Sequence, residues 1–397
     1  MKIAVIGGGA SGIAAAIYAK RICNKNSVTV LERSDRVLKK LLATGNGRCN
    51  LSNTSISPEN YFSHTPKEVS NILDAFPPDE ERQFFASLGI LLCEENGRVY
   101  PYSRRANAVS DALRAECEHL GVKIRTGAFV NKIEKKGKGF SAQGEFFDKV
   151  IISCGGASAP SFGTDGNSFK LLKELGHTIT PLSYALSPVK VKENVTKLKG
   201  IRVHCRVSLI NKGEVIRSES GELQLTDYGL SGIAIMQLSR LCKKGSLIKV
   251  DLMPEFSEKE LESLLLQRTR DFSHLKADDF LTGFLHKILG QYILDRCHIN
   301  KNIFAGEFSP QNIKAIANEL KSLSFSVESV LGKEQSQATS GGALLSEFHT
   351  DTLESKKLPG LYCTGEALDC VGDCGGYNLH WAWATAYIAG KGMKDNA

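Results

Sequence analysis

The stretch Lys2 to Arg21, KIAVIGGGASGIAAAIYAKR, decides how this chain is read. Lys2 to Ile6 is a short apolar run of the kind a strand buried on both faces requires, and it leads through Gly7, Gly9 and Gly12 into the alanine-rich helical stretch Ile13 to Arg21. In this G-x-G-x-x-G the first glycine permits a tight turn. The second lets the backbone approach a pyrophosphate, and the third lets the helix pack closely on the strand. Amide donors at the helix start then meet phosphate charge. A second strand, Ser27 to Leu31, ends at Glu32, twenty residues beyond Gly12, where a carboxylate accepts hydrogen bonds from the hydroxyls of an adenosine ribose. The expected fold class is therefore α/β, with a Rossmann-type dinucleotide-binding domain.

This unit serves FAD and NAD alike, and the segment after Glu32 separates them. A pyridine-nucleotide domain continues with alternating strands and helices, whereas here comes a polar segment, residues 33 to 53, in which Gly45 and Gly47 bracket Asn46 and precede Arg48, Cys49 and Asn50. Glycine flexibility lets such a loop wrap a cofactor with Lys40 and Arg48 near its phosphates or ring; an ordinary surface turn is the alternative. Near the other end, LYCTGEALD reads as an apolar strand running into Gly365, Glu366 and Asp369. Gly375, Gly376, Tyr377 and Asn378 then open a helical pattern from Leu379 through Ala389, ending at Gly390. A glycine-rich helix entry again offers amide donors, here suited to the negative charge that develops near N1 and the C2 carbonyl of a reduced flavin. Two such entries at opposite ends imply one shared ligand with an insertion between them.

Composition narrows the class further. With 397 residues, 42% hydrophobic and 23% charged, the chain falls in the globular range, and a prior of roughly 150 residues per domain suggests two or three domains. Glycines break the apolar run at the start, so it reads as strand and helix rather than signal peptide, and no other stretch approaches a membrane span. Eleven cysteines without a C-x-x-C pair suggest reduced thiols, and the expected location is the cytoplasm. The net charge of +7 is dispersed, and Lys132, Lys135, Lys136 and Lys138 read as a solvated hairpin, so a nucleic-acid partner is not expected. The nine histidines form no metal-ligand pattern, and no metal is expected.

The runs IGGGASGIAAA, LERSDRVLKKLLATGNGRCNLSN, ELQLTDYGLSGIAIMQLS and the C-terminal ATSGGALLSEFHTDTLESKKLPGLYCTGEALDCVGDCGGYNLHWAWATAYIAGK resemble the BaiN-like bacterial NAD(P)/FAD-dependent oxidoreductases, flavoproteins related in fold to glutathione reductase. The resemblance spans essentially the whole chain, and GNGRCNLSN and CGGYNLHWAW are its most specific parts. It implies non-covalent FAD with Gly7, Gly9, Ser11 and Gly12 at the pyrophosphate and Glu32 at the ribose. It implies further that Arg33, Lys40 and Gly45 to Asn50 lie along the dinucleotide, that Val130 meets the adenine end through its backbone, and that Cys154, Gly155 and Gly156 line the cleft. Gly365, Glu366, Asp369 and Gly375 to Leu379 would approach the ribityl chain and isoalloxazine. Two departures lie close to the expected flavin face. The family's frequent LDVDG is here Leu368-Asp369-Cys370-Val371-Gly372, and its frequent glutamine is here His380.

Between the two ends, helical patterns run over Pro66 to Phe76, Asp79 to Leu88 and Asn107 to Leu120, and strands over Val122 to Arg125, Phe129 to Lys135 and Lys149 to Cys154 should complete the cofactor domain. From about Ser187, short β-like runs suggest a β-rich substrate or cap domain. Ser257 onward is helical, with Ser257 and Glu260 set as a capping box. The expected domains are residues 1–186 with 338–397 for FAD, 187–256 for the β-rich domain and 257–337 for a helical subdomain.

Flavin carries hydride chemistry, so the chain's own contribution is orientation and proton handling. Tyr377 and His380, beside the glycine-rich helix start, are candidate acid or base groups, with packing and capping as the competing roles. Cys370 and Cys374 suit either a redox pair or two separate thiols, and Arg98, Tyr102, Ser103, Arg104 and Arg105 either an anion-binding wall or a solvated loop. The expected function is hydride transfer between flavin and a small-molecule substrate, in the family's terms reduction of an enone with NAD(P)H. Oxidation of a small amine, or an FAD protein that binds or modifies RNA, are the alternatives.

Overall fold

In the computed structural model, which describes residues 1–394, the strand Lys2–Ile6 is buried from Ile3 onward. It pairs in parallel with Lys149–Ile152 on one side and Ser27–Leu31 on the other. A central parallel strand has no wet face, which is why its sequence is a continuous apolar run and not an alternating one. Leu361–Cys363 and Lys123–Arg125 add the outer strands, also parallel, so the sheet order is Leu361–Cys363, Lys149–Ile152, Lys2–Ile6, Ser27–Leu31, Lys123–Arg125. Their common direction places Gly7, Glu32, Ser153 and Thr364, each directly after a strand, along one carboxyl edge.

The helix Ala10–Ile22 packs on the helix Tyr377–Lys391. Small side chains make this close: a Cβ on Gly390 would fall 2.3 Å from the Cβ of Tyr18. Trp381 and Trp383 are buried in the second helix and donate their indole N–H groups to the carbonyls of Gly365 and Leu51, each at 3.1 Å. A buried indole needs such an acceptor. The helices Pro66–Asp74, Pro78–Ser87 and Ala106–His119 fall within a few residues of their sequence patterns. The expected strand Phe129 to Lys135 does not complete the parallel sheet. Ile133–Lys136 instead forms an antiparallel hairpin with Gly139–Ala142, because a two-residue link through Gly137, at φ 56°, can join only antiparallel neighbours.

Two compact units result, Met1–Ala185 with Lys333 onward, and Leu186–Gly332. The second is a closed six-stranded barrel whose circuit runs Val189–Val191, Gly229–Ser231, Glu214–Leu225, Arg202–Asn211, Leu247–Asp251, Leu323–Val330. The last strand pairs with both Leu247–Asp251 and Val189–Val191 and so closes it. This strand lies inside residues 257–337, where the sequence suggests a separate helical subdomain. Helices Glu258–Asp271, Lys287–Arg296 and Pro310–Ser322 bury Leu261, Leu265, Ile293 and Ile316 in one core with Val207, Val250 and Phe325 of the barrel, so barrel and helices are one body. An amphipathic helix needs a surface for its apolar face, and the barrel provides it. The Ser257 capping box forms as expected.

One buried polar cluster in the first unit carries a measurable consequence. The Ser355 hydroxyl donates to His177 Nε2 and His177 Nδ1 donates to Glu347, both at 2.9 Å. Ser355 is buried and its oxygen also accepts the Leu358 and Lys357 amides, so this triad-like array fastens a loop and is no nucleophile. Burial pushes the Glu347 carboxyl up, but bonds from Lys357, Thr178 and His177 outweigh it and hold the group at about 2. Burial pushes His177 below its ordinary value of 6.5, against the pull of Glu347. The folded state thus binds fewer protons than the unfolded chain at both groups. Stability from Glu347 is complete above its ordinary value of 4.5 and is lost as pH falls towards 2. Glu347→Gln should cost about 1–3 kcal/mol at pH 7 in urea unfolding, and the gap to the parent should narrow below pH 4.5. A gap independent of pH would refute this account.

Candidate functional site

The first helix starts where the first strand ends, and two glycines define the junction. A Cβ on Gly12 would lie 2.0 Å from the Gly7 carbonyl oxygen, so the helix abuts the strand turn directly. A Cβ on Gly9 would meet nothing within 4 Å. The side of the turn at Gly9 is open, beside the amides of the first helical turn, which have no intrahelical acceptor before Ile13 bonds to Gly9. A phosphate can reach those amides there. Glu32 comes directly after the second strand and accepts the Gly8 amide at one carboxylate oxygen and the Ser34 amide at the other, both at 2.7 Å. Each oxygen keeps a lone pair for a further donor.

The loop after Glu32 is wound by left-handed residues. Gly45, Asn46, Gly47 and Cys49 have φ of 57°, 55°, 80° and 59°. Asn tolerates this region and glycine favours it, which accounts for GNG. Cys49 turns its side chain into the core, where burial pushes its thiol up to about 12. Lys40 bonds to Glu366 at 2.8 Å, tying this segment to the C-terminal return. Arg48 does not point along the same path: it stacks on Tyr100 at 4.7 Å and pairs with Glu95. Arg104 takes the other oxygen of Glu95 and lies over the same ring, so Arg48 and Arg104 are both engaged with an acid and an aromatic ring. Arg33 pairs with Asp165 at 2.5 Å over the Phe129 ring.

The strands Lys149–Ile152 and Leu361–Cys363 bring two further segments to this edge. Cys154 donates its thiol to the Ile6 carbonyl, and burial pushes it up to about 12. A Cβ on Gly156 would strike Thr339 Oγ1 at 2.4 Å and Glu366 at 2.6 Å, and Gly155 at φ 72° makes the turn. The Val130 carbonyl accepts the Asn167 side chain at 2.9 Å. Gly365 presses on Ser11, whose Oγ would lie 2.6 Å from an added Cβ. The loop after the last parallel strand therefore meets the start of the first helix. Gly376, at φ 107°, abuts the Ser52 carbonyl, and Asn378 closes the turn before it through two bonds to Gly372. Leu379 packs against the main core.

The candidate proton groups differ in burial and in partners. The His380 ring is fully buried, with Nδ1 bonded to Glu81 at 2.7 Å and to Ser52 at 3.0 Å, so it anchors the helix. This burial favours the packing role that the sequence set beside the catalytic one for His380. The Tyr377 hydroxyl is pushed above its ordinary value by burial, and its carbonyl accepts the Tyr61 hydroxyl at 3.0 Å. Burial likewise raises the Cys370 and Cys374 thiols, the reverse of an activated pair. Three residues at this edge, Asn53, Tyr61 and His64, are absent from the sequence-based candidates. Asn53 donates to the Gly375 carbonyl, and His64 bonds to Asp369 through both its amide and its ring. No spacing signal could reveal these, because the partners stand some three hundred residues apart.

Whether FAD suits this edge is tested by the polar atoms left over. Among the described residues, Asn50 Oδ1 and Asp369 Oδ1 are buried acceptors with no hydrogen-bond partner. Buried acceptors are expensive unless a donor reaches them, and a dinucleotide with ribityl and ribose hydroxyls supplies donors. With the open side of Gly9 and the Glu32 lone pairs, the edge fits the cofactor. Among the described residues no cluster suits a metal ion, and no helix is long and apolar enough to cross a membrane.

Comparison with known proteins agrees with this geometry. The HI0933-like protein Rossmann domain model matches residues 1–392. The chain is 38% identical over 405 residues to a 3-dehydro-bile acid delta(4,6)-reductase of Clostridium scindens, covering 99% of each. It is 26% identical over 395 residues to a ribosomal RNA dihydrouridine synthase of Haemophilus influenzae, covering 96% of each. The fold is also that of the FrdA chain of Escherichia coli quinol fumarate reductase, at 12% identity and a TM-score of 0.50 over 99% of this chain and 70% of that one. A Rossmann cradle shaped for a dinucleotide and a match across nearly the whole sequence lead to one conclusion: the chain belongs to the HI0933-like Rossmann family and is an FAD-dependent oxidoreductase.

Proposed function

We propose that this protein reduces a carbon–carbon double bond conjugated to a carbonyl in a small organic substrate, drawing electrons from NAD(P)H. The observation that carries this reading is the 38% identity over 99% of the chain to a bile acid delta(4,6)-reductase. A dihydrouridine synthase also saturates a double bond next to a carbonyl, so both relatives' names describe the same bond type. FAD, when bound, supplies the hydride at its N5 position.

The chain's own residues bind and orient. The turn at Gly7, Gly9, Ser11 and Gly12 holds the pyrophosphate, with the Gly7 amide kept on the Leu31 carbonyl and the amides of the first helical turn left to donate, and Glu32 takes the ribose hydroxyls. Arg33, Lys40, Gly45 to Asn50, Val130 and Cys154 to Gly156 run beside the dinucleotide. Gly365, Glu366, Asp369 and Gly375 to Leu379 flank the ribityl chain and ring, where the amides opening the helix Tyr377–Lys391 stabilise negative charge on the reduced ring. The sequence has a single G-x-G-x-x-G, so the nicotinamide approaches the face used by substrate.

The ribosomal RNA substrate in the name of the 26% identical relative favours a second reading, in which the double bond belongs to a uracil ring of RNA. The net charge of +7 is compatible with it. A gel shift with ribosomal RNA that fades as salt rises would support it, and no binding at low salt would exclude it.

Anaerobic stopped-flow tests the first reading. NADH or NADPH should bleach the flavin absorbance, and a steroid 4-en-3-one should restore it; a flavin that no nicotinamide bleaches, or that stays bleached with every enone, overturns the reading. Gly9→Ala isolates the cradle. The added methyl meets no protein atom within 4 Å and Gly9 has φ −77°, so the unliganded protein should melt as the parent does while FAD binds tenfold or more weakly, about 1.4 kcal/mol. Glu32→Ala should weaken FAD by roughly 1–3 kcal/mol, and it also frees the Gly8 and Ser34 amides. Unchanged FAD affinity in both variants, read by fluorescence titration, would refute the assignment.

A further inference from the structure

We propose that His64 is the proton donor of this reduction and that Asp369 is the residue that positions it. The inference rests on the reading of the protein as a double-bond reductase. Asp369 is fully buried, and its Oδ2 accepts both the His64 backbone amide at 3.0 Å and His64 Nδ1 at 2.9 Å. A buried carboxylate is tolerated when donors compensate its charge, and here one residue gives two. Held in this way, the ring carries a proton on Nδ1, and Nε2 becomes the exchanging atom. The His64 side chain is 46% exposed, so Nε2 stands on the accessible edge of a ring whose inner edge is fixed. Phe62 contacts the ring edge-on at 6.1 Å, and among the described residues Asp369 is the charged group bonded to it.

The dyad is stitched to the segment assigned to the flavin. The strand Tyr61–Phe62 pairs antiparallel with Val371–Gly372, Asp373 donates its amide to the Asn60 carbonyl at 2.8 Å, and the Tyr61 hydroxyl reaches the Tyr377 carbonyl. Residues 60–64 and 369–377 thus form one local structure. Competing proton sources there are poorly suited. His380 is sealed, while Tyr377, Tyr61, Cys370 and Cys374 are all pushed above their ordinary values by burial. A histidine ordinarily titrates near neutral pH, the range in which a general acid works best.

In the balanced reaction, hydride from the reduced flavin forms a C–H bond at the carbon β to the carbonyl, the π bond breaks, and its electron pair shifts to the α carbon. The His64 imidazolium gives the Nε2 proton to that carbon. Flavin ends oxidised, the double bond reduced, and the neutral ring recovers a proton from solvent with Asp369 supporting its charge.

The test uses the FAD-loaded protein, photoreduced without nicotinamide and mixed anaerobically with a steroid 4-en-3-one. Reoxidation by the enone should slow about 10²–10⁴-fold in His64→Gln. Oxidation of the same variant by O₂ should run at the parent rate, which reports an intact flavin site. Added imidazole should restore enone turnover in His64→Ala, an effect a packing role would not produce. In Asp369→Asn the His64 ring nitrogens, tracked by NMR in the oxidised holoprotein at one pH, should lose the single Nδ1–H tautomer that the Asp369 oxygen fixes. Parent-like enone rates in His64→Gln, or an unchanged His64 tautomer in Asp369→Asn, overturn the proposal while leaving the reductase reading standing. A parent protein that no enone reoxidises overturns the reading itself and the proposal with it, and that failure is visible before any variant is made.

Discussion

The approach of Gly365 to Ser11 is the contact on which the cofactor edge depends. A side chain at position 365 would place its Cβ 2.6 Å from Ser11 Oγ, so a larger residue would force apart the first helix and the loop after the last parallel strand. Trp381 and Thr385 on the C-terminal helix hold that loop from the other side, through the Gly365 carbonyl and amide. Lys40 adds a third fixing point at Glu366. Close packing transmits small displacements, because an interior at crystal-like density has no slack to absorb them.

Three histidine–carboxylate pairs in the first unit show how one pairing acquires different roles from burial alone. His380 and Glu81 are both sealed, which makes the pair a clamp between the C-terminal helix and the helix Pro78–Ser87. His177 and Glu347 reach the surface through the acid, and they fix a loop and respond to pH. In His64 and Asp369 the arrangement is reversed, with the acid sealed and the imidazole accessible. A buried acid pulls the ring into one orientation while leaving its far nitrogen to chemistry.

The parallel sheet was legible because burial on both faces leaves its mark in consecutive residues, and Gly7, Gly9, Gly12 and Glu32 lie within one short stretch of chain. The return through Gly365 and Gly376 was legible for the same reason, since glycines at a helix entry are a local requirement. Less could be read where partners are distant. His64 looks like a loop histidine before a Thr-Pro helix start until the fold sets it on Asp369, and His380 looks like a site residue until Glu81 and Ser52 enclose it. The strand Leu323–Val330 alternates buried and half-buried residues over its first six positions, but it follows the helix Pro310–Ser322 with no intervening turn signal, which hid the closure of the barrel.

The order of the sheet also sets a schedule for synthesis. Lys2–Ile6 is the first of the five strands to leave the ribosome, whereas Leu361–Cys363, which pairs beyond Lys149–Ile152 and carries the loop to Ser11, emerges some 355 residues later. At about 5–20 residues per second this is roughly 18–70 s during which the half-built edge has no closing segment. The compact unit Leu186–Gly332 is translated within that interval, and its own core is made from residues contained in it. Closure of the edge is then the last event in the assembly of these five strands, set by the arrival of the strand Leu361–Cys363 and the helix after it.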